Sequence, residues 1–119
     1  MPDERGRTAR PEPDCPVEVA LAAIAGRWTT LVLRELMHGS RSFGELRAAL
    51  PALSAKVLTE RLRELAARGL VDRRRTAGFP VRTSYQLTPA GQLLRPLLVA
   101  LYQTGTALLD TTMPGARGA

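Results

Sequence analysis

The 119-residue chain holds one cysteine, Cys15, and one histidine, His38. A single cysteine excludes an internal disulfide framework and a cysteine-rich zinc site, and no second His or Cys stands at zinc spacing from His38. No run of about 18 uncharged apolar residues exists, so no membrane-spanning helix is expected. The first residues, MPDERGRTARPEPD, carry both charge signs and lack the apolar stretch of a secretory signal. No Ser/His/Asp set, P-loop or carboxylate pair is present, which argues against an enzyme. Lysine is nearly absent: Lys56 is the one lysine among seventeen basic residues.

What the chain has is arginine, unevenly placed. Residues 54–86 carry Lys56, Arg61, Arg63, Arg68, Arg73, Arg74, Arg75 and Arg82 against Glu60, Glu64 and Asp72, net +5. Residues 1–53 are balanced, seven arginines against seven acids. Most of the overall charge of +6 therefore sits in one third of the chain. Such a concentration is the electrostatic footprint of a nucleic-acid binder. An arginine-rich compositional bias would explain the count, but less easily the clustering.

The length suits one domain, expected over residues 14–111, between a disordered segment 1–13 and a flexible tail 112–119. The pattern predicts a first helix from Pro16, with Cys15 as N-cap, Gly26 as stop, and Val17, Ala20, Leu21 and Ile24 on one face. A second helix runs from Arg27 to His38, with Trp28, Leu31, Val32 and Leu36 on one side and Leu33 and Met37 on another. Ser42 and Glu45 form a capping box that starts a third helix, which Pro51 ends near Leu50. Ser54 caps a fourth helix, about 54–68, closed by Gly69. Residues 70–87 change to a strand period, two short strands around a turn at Gly78 and Pro80. Thr88 and Pro89 then start a long helix, about 88–110, which Pro96 should kink. The expected fold is mainly α (α+β), laid out as a winged helix-turn-helix.

The fourth helix separates into two faces when residues are stepped at roughly 100°. Leu58, Leu62 and Leu65 make a buried stripe flanked by Ala55 and Ala66. Lys56, Thr59, Glu60 and Arg63 lie opposite, and each can hydrogen-bond a base edge in a major groove. Ser54 stands at the N-terminus, where free N–H groups favour a phosphate. In the hairpin, alternation puts Arg73 and Arg75 on one face and Arg74 on the other, and Arg82 opens the returning strand. A wing would use these four on phosphates or in a minor groove. Taken alone, the helix could be a solvated face with i,i+4 pairs, and the arginines could serve only to keep a β-edge soluble.

Several stretches together, CP at Cys15, GRWTTLVLREL, RSFGELRAAL, SAKVLTERLRELAARGLV, then Tyr85, Leu87–Thr88 and Gly91, resemble the HxlR-type family of bacterial winged-helix transcriptional regulators, themselves similar to MarR-like regulators. The resemblance spans about residues 15–110. It implies a DNA-binding domain with the recognition helix at 54–68, the wing at 70–87, and a homodimer joined by the first and last helices. The usual Val-Glu before the wing tyrosine is Thr83-Ser84 here, and an aromatic common near 103–106 is absent. The apolar surface of the last helix, Leu94, Leu97, Leu98, Leu101, Tyr102, Leu108 and Leu109, independently fits a two-fold dimer on a palindromic operator. The expected partners are thus double-stranded DNA and a second copy, in the cytoplasm at the nucleoid, as a repressor without cofactor or metal. An RNA- or protein-binding winged helix is the alternative, since fold does not fix function.

Cys15 is the candidate sensor. At an N-cap it would face the positive end of the helix dipole, although Asp14 beside it works the other way. Some relatives in the family that the chain resembles use a cysteine near this position to sense oxidants or electrophiles. An inert structural cysteine is the competing reading, and a small-molecule effector is a further expectation.

Overall fold

The computed structural model describes residues 15–112, so the expected disordered segment 1–13 and all but the first residue of the expected tail lie outside it. The order is α1 (Pro16–Ala23), α2 (Thr29–Leu36), β1 (Arg41–Ser42), α3 (Phe43–Ala49), α4 (Ala55–Ala67), β2 (Val71–Thr76), β3 (Arg82–Leu87), α5 (Pro89–Gln92) and α6 (Arg95–Thr112). The strands form one antiparallel sheet in the order β1-β3-β2. This is a winged helix: α2, α3 and α4 enclose the core, and β2–β3 is the wing.

The core is almost entirely leucine and valine. Val32, Leu33 and Leu36 of α2 meet Leu46 of α3 and Leu58, Leu62 and Leu65 of α4, while Leu70, Val71, Leu87 and Leu94 close the sheet side. Full burial of each such side chain is worth about 1.5–3 kcal/mol. Trp28 and Phe43 pack at the margin rather than in the centre.

The local signals in the sequence set most boundaries. The Ser42 hydroxyl accepts from the Glu45 N–H at 3.0 Å, and the Glu45 carboxylate accepts from the Ser42 N–H at 2.7 Å. That hydrogen bond from the Ser42 backbone, helped by the Ser42 side chain and by Arg41, holds the Glu45 carboxyl below its ordinary range despite some desolvation. Ser54 caps α4 by accepting from the Val57 N–H at 3.1 Å.

Four expectations are corrected. First, α1 ends at Ala23 and buries none of its residues; Val17 and Leu21 stay exposed, because α1 lies outside the core rather than across it. Second, α2 starts at Thr29, since Trp28 takes a left-handed backbone conformation (φ 73°) that no helix continues through. The Arg27 guanidinium sits 4.6 Å from the centre of the Trp28 ring. Third, residues 41–42 form a strand that local periodicity does not reveal, because it exists only by pairing with Ser84 and Tyr85 of β3. Fourth, the single kinked helix at 88–110 is two helices, broken at Leu93–Leu94 and continuing to Thr112. Pro96 has no N–H for the Gln92 carbonyl, and the chain instead closes tight turns from Leu93 to Ala90 and from Leu94 to Gly91.

The junction of sheet and α5 is the tightest point. The Thr88 N–H donates to the Leu70 carbonyl, and the Thr88 hydroxyl donates to the Gly69 carbonyl at 2.7 Å while accepting from Gly91 N–H. Gly91 is buried so closely that a Cβ would run into the Leu70 carbonyl oxygen and crowd Leu87. Gly91→Ala should therefore cost about 1–3 kcal/mol, the usual penalty of overpacking, read as a lower urea midpoint with an unchanged slope.

Candidate nucleic-acid interface

The rotation of α4 follows its leucines. With Leu58, Leu62 and Leu65 buried, Lys56 and Arg63 are exposed and Thr59 and Glu60 are half-exposed, so all four point away from the core. Ser54 is exposed at the N-terminus of the same helix, its oxygen already engaged by the Val57 N–H.

The wing continues that surface. In the β2–β3 register Arg73 pairs with Tyr85, Arg74 with Ser84, Arg75 with Thr83, and Thr76 with Arg82. Arg73, Arg74, Arg75 and Arg82 are all exposed. Arg73 faces α4, because it and Tyr85 line a hollow of about 230 Å³ together with Thr59, Leu62, Arg63 and Ala66 of that helix. Arg74 alternates to the other face, where the Gln86 side-chain oxygen, in the amide orientation that satisfies both groups, accepts from its Nη2 and Nε at 3.1 and 3.2 Å. Arg75 and Arg82 sit nearer the tip, beside the turn at 77–81. Arg63 and Arg73 have no hydrogen-bond or ion-pair partner among the described residues. The wing therefore divides its arginines, with Arg73 and Arg75 on the face that carries Tyr85 toward α4 and Arg74 and Arg82, in register with Ser84 and Thr76, on the opposite face.

The sequence marks Tyr85 as the wing tyrosine of the family pattern but does not place it among the candidate site residues. The cross-strand alternation that pairs it with Arg73 was the available signal.

Three other arginines serve the fold. Arg61 Nε donates to the Arg27 carbonyl at 2.8 Å, and its Nη1 meets both oxygens of Glu64 at 2.9 and 3.0 Å. Arg68 Nη1 donates to the carbonyls of Ala23 and Ala25 at 3.0 and 3.1 Å. Arg95 Nη2 donates to the Met37 carbonyl at 3.1 Å. Arg68 and Arg95 satisfy carbonyls left over at the ends of α1 and α2, and Arg61 satisfies one in the α1–α2 connection. Two members of the charge cluster, Arg61 and Arg68, are therefore committed to holding α4 against the α1–α2 connection.

Cys15 is half-buried at the N-cap of α1, and its sulfur makes no hydrogen bond to the helix N–H groups that the sequence placed it beside. Among the described residues no three His, Cys, Asp or Glu side chains gather as a metal site, and no helix is long and apolar enough to cross a membrane.

Arg68→Ala should lower stability by about 0.5–1.5 kcal/mol in urea titration, the worth of ordinary net hydrogen bonds at an exposed site. The same variant should leave the salt dependence of DNA binding unchanged, since this guanidinium is spent on carbonyls.

Known proteins share both sequence and fold. The HxlR-like helix-turn-helix family profile matches residues 23–113. The HTH-type transcriptional regulator YvaP of Bacillus subtilis is 41% identical over 97 residues, covering 81% of this chain and 90% of YvaP. The redox regulator HypR in its reduced form superposes with a TM-score of 0.76 at 32% identity, over 82% of this chain and 97% of HypR. The reduced form of the regulator YodB from B. subtilis superposes at 0.67 with 33% identity, over 83% of this chain and 94% of YodB. Its sequence, its winged-helix architecture and these relatives agree that the chain belongs to the HxlR-like helix-turn-helix family of DNA-binding transcriptional regulators.

Proposed function

We propose that the chain is a dimeric repressor that binds a two-fold operator through α4 and the wing. One observation carries the reading: the polar face of α4 and the arginine side of the wing flank a single hollow, so both can meet one duplex at once. In this reading α4 enters the major groove, where Lys56, Thr59 and Glu60 stand toward base edges. Ser54 and the free N–H groups at the start of α4 take a phosphate. Arg73 and Arg75 follow the backbone or the neighbouring minor groove, and Arg74 and Arg82 contribute charge from the outer face of the wing. Repression needs nothing more than occupation of DNA that a polymerase must use, in the cytoplasm at the nucleoid.

Apolar surface outside the core supports the dimer. Val17, Val19 and Leu21 of α1 are exposed by 64, 55 and 53%, and Tyr102 of α6 by 71%, with Val99, Leu101 and Leu109 also exposed. A second copy of the same two helices would bury this surface in an isologous contact. Light scattering at micromolar concentration should report a dimer, and Leu101→Glu should shift it toward monomer. A monomeric wild type would remove the dimer.

Binding to a duplex selected from a random pool should weaken steeply with salt, its log–log slope about −0.9 for each phosphate neutralised. Affinity that stayed flat between about 50 and 200 mM salt would count against DNA as the partner.

The similarity to HypR and YodB supports an oxidant response through Cys15. Because the sequence has no other cysteine, any disulfide formed on oxidation must link two subunits or join Cys15 to a small thiol. Diamide should weaken operator binding by the wild type and spare Cys15→Ser; equal loss in both would discard the sensor.

A further inference from the structure

The hollow between α4 and the wing is not accounted for by base reading. It is lined by Leu62, Arg63 and Ala66 of α4 and by Arg73 and Tyr85 of the wing. Thr59 adds a hydroxyl, and no acidic side chain lines it. Two arginines without a hydrogen-bond or ion-pair partner among the described residues therefore line one open hollow of about 230 Å³, ample for one phosphodiester group. Like charges on opposite walls repel each other unless an anion lies between them.

We propose that this hollow is a phosphate seat, in which Arg63 and Arg73 together clamp one backbone phosphate of each operator half-site. The proposal rests on the DNA-binding reading above and sharpens it. A protein that lays a helix in a major groove and a hairpin in the adjoining minor groove must straddle the sugar–phosphate strand between them. The hollow lies between the helix and the hairpin, so it faces that strand. Arginine is suited to the role because its planar fork gives two parallel hydrogen bonds to a phosphate. The lining holds no carboxylate to compete for the guanidiniums, and Leu62 and Ala66 would meet the deoxyribose. Arg63 thereby leaves the group that reads bases, which reduces on α4 to Lys56, Thr59 and Glu60. The clamp fixes how deep and at what angle α4 enters the groove, because its two halves come from different elements.

The test pairs protein variants with backbone neutralisation. A duplex selected from a random pool by the wild-type protein is made with single methylphosphonate substitutions, one position at a time. R63A and R73A should each bind the unmodified selected duplex about 10-fold or more weakly, as expected for a hydrogen bond to a charged group. Both should weaken random duplex by the same factor, so that the preference for the selected duplex is retained. At one phosphate position per half-site, neutralisation should abolish the penalty of R63A and of R73A alike, and R63K should recover part of the lost affinity. Circular dichroism and the urea midpoint of both variants should match the wild type, since neither side chain has a hydrogen-bond or ion-pair partner among the described residues.

Three results would overturn the proposal. R63A could lose its preference for the selected duplex while no single neutralised phosphate removed its penalty, making Arg63 a base reader after all. The penalties of R63A and R73A could vanish at different phosphates, which would place the two arginines in separate contacts. Failure of the wild-type protein to enrich any duplex would remove the DNA-binding reading together with the seat.

Discussion

The orientation of α4 about its own axis is the constraint on which the rest depends. Leu58, Leu62 and Leu65 turn inward because their burial is the main favourable term available to that helix. Arg61 and Arg68, leaving its flanks, then tie it to the carbonyls of Ala23, Ala25 and Arg27. Apolar burial fixes the angle and the charged hydrogen bonds fix the position along the α1–α2 connection. The outward face needs no interaction of its own to be held in place. A rotation by one residue, about 100°, would replace it with leucine.

The same side chain does two jobs in neighbouring places. Arginines that reach backbone carbonyls of α1, α2 and their connection act as fixtures, and the exposed arginines of α4 and the wing form the candidate interface. The guanidinium suits both, since it carries several donors in a rigid fork and stays charged. The net charge of residues 54–86 therefore overstates what a duplex would meet directly, although the fixed charges still add to the long-range field.

Elements announced by local chemistry were legible in the sequence. The Ser42–Glu45 box, Ser54 with Gly69, and Thr88 with Pro89 each mark a boundary with groups only a few residues apart, and α3, α4 and the wing follow from them. The leucine stripe also identified which side of α4 is free. What depends on distant partners was not legible. Strand β1 exists through Ser84 and Tyr85, more than forty residues away. The exposure of α1 was hidden because an apolar stripe looks the same whether its own core or a second copy covers it. The division between structural and free arginines was equally hidden, because helical angle alone puts Arg61 on a flank without saying what lies beside it. Tyr85 joined the hollow through cross-strand pairing, which alternation suggests but does not aim.

The break at Leu93–Leu94 frees the direction of α6 from that of α5. Its 18 residues extend about 27 Å, and Arg95, Leu97 and Leu98 anchor its first turn to the core. In a dimer joined through the exposed turns, α6 acts as a ruler. Sliding the contact by one helical turn, about 5.4 Å, would shift the two copies by an amount comparable with one to two base-pair steps. Half-site spacing is then written in a helix that carries none of the reading side chains. Related regulators could retune the distance between half-sites there while keeping the same base preference.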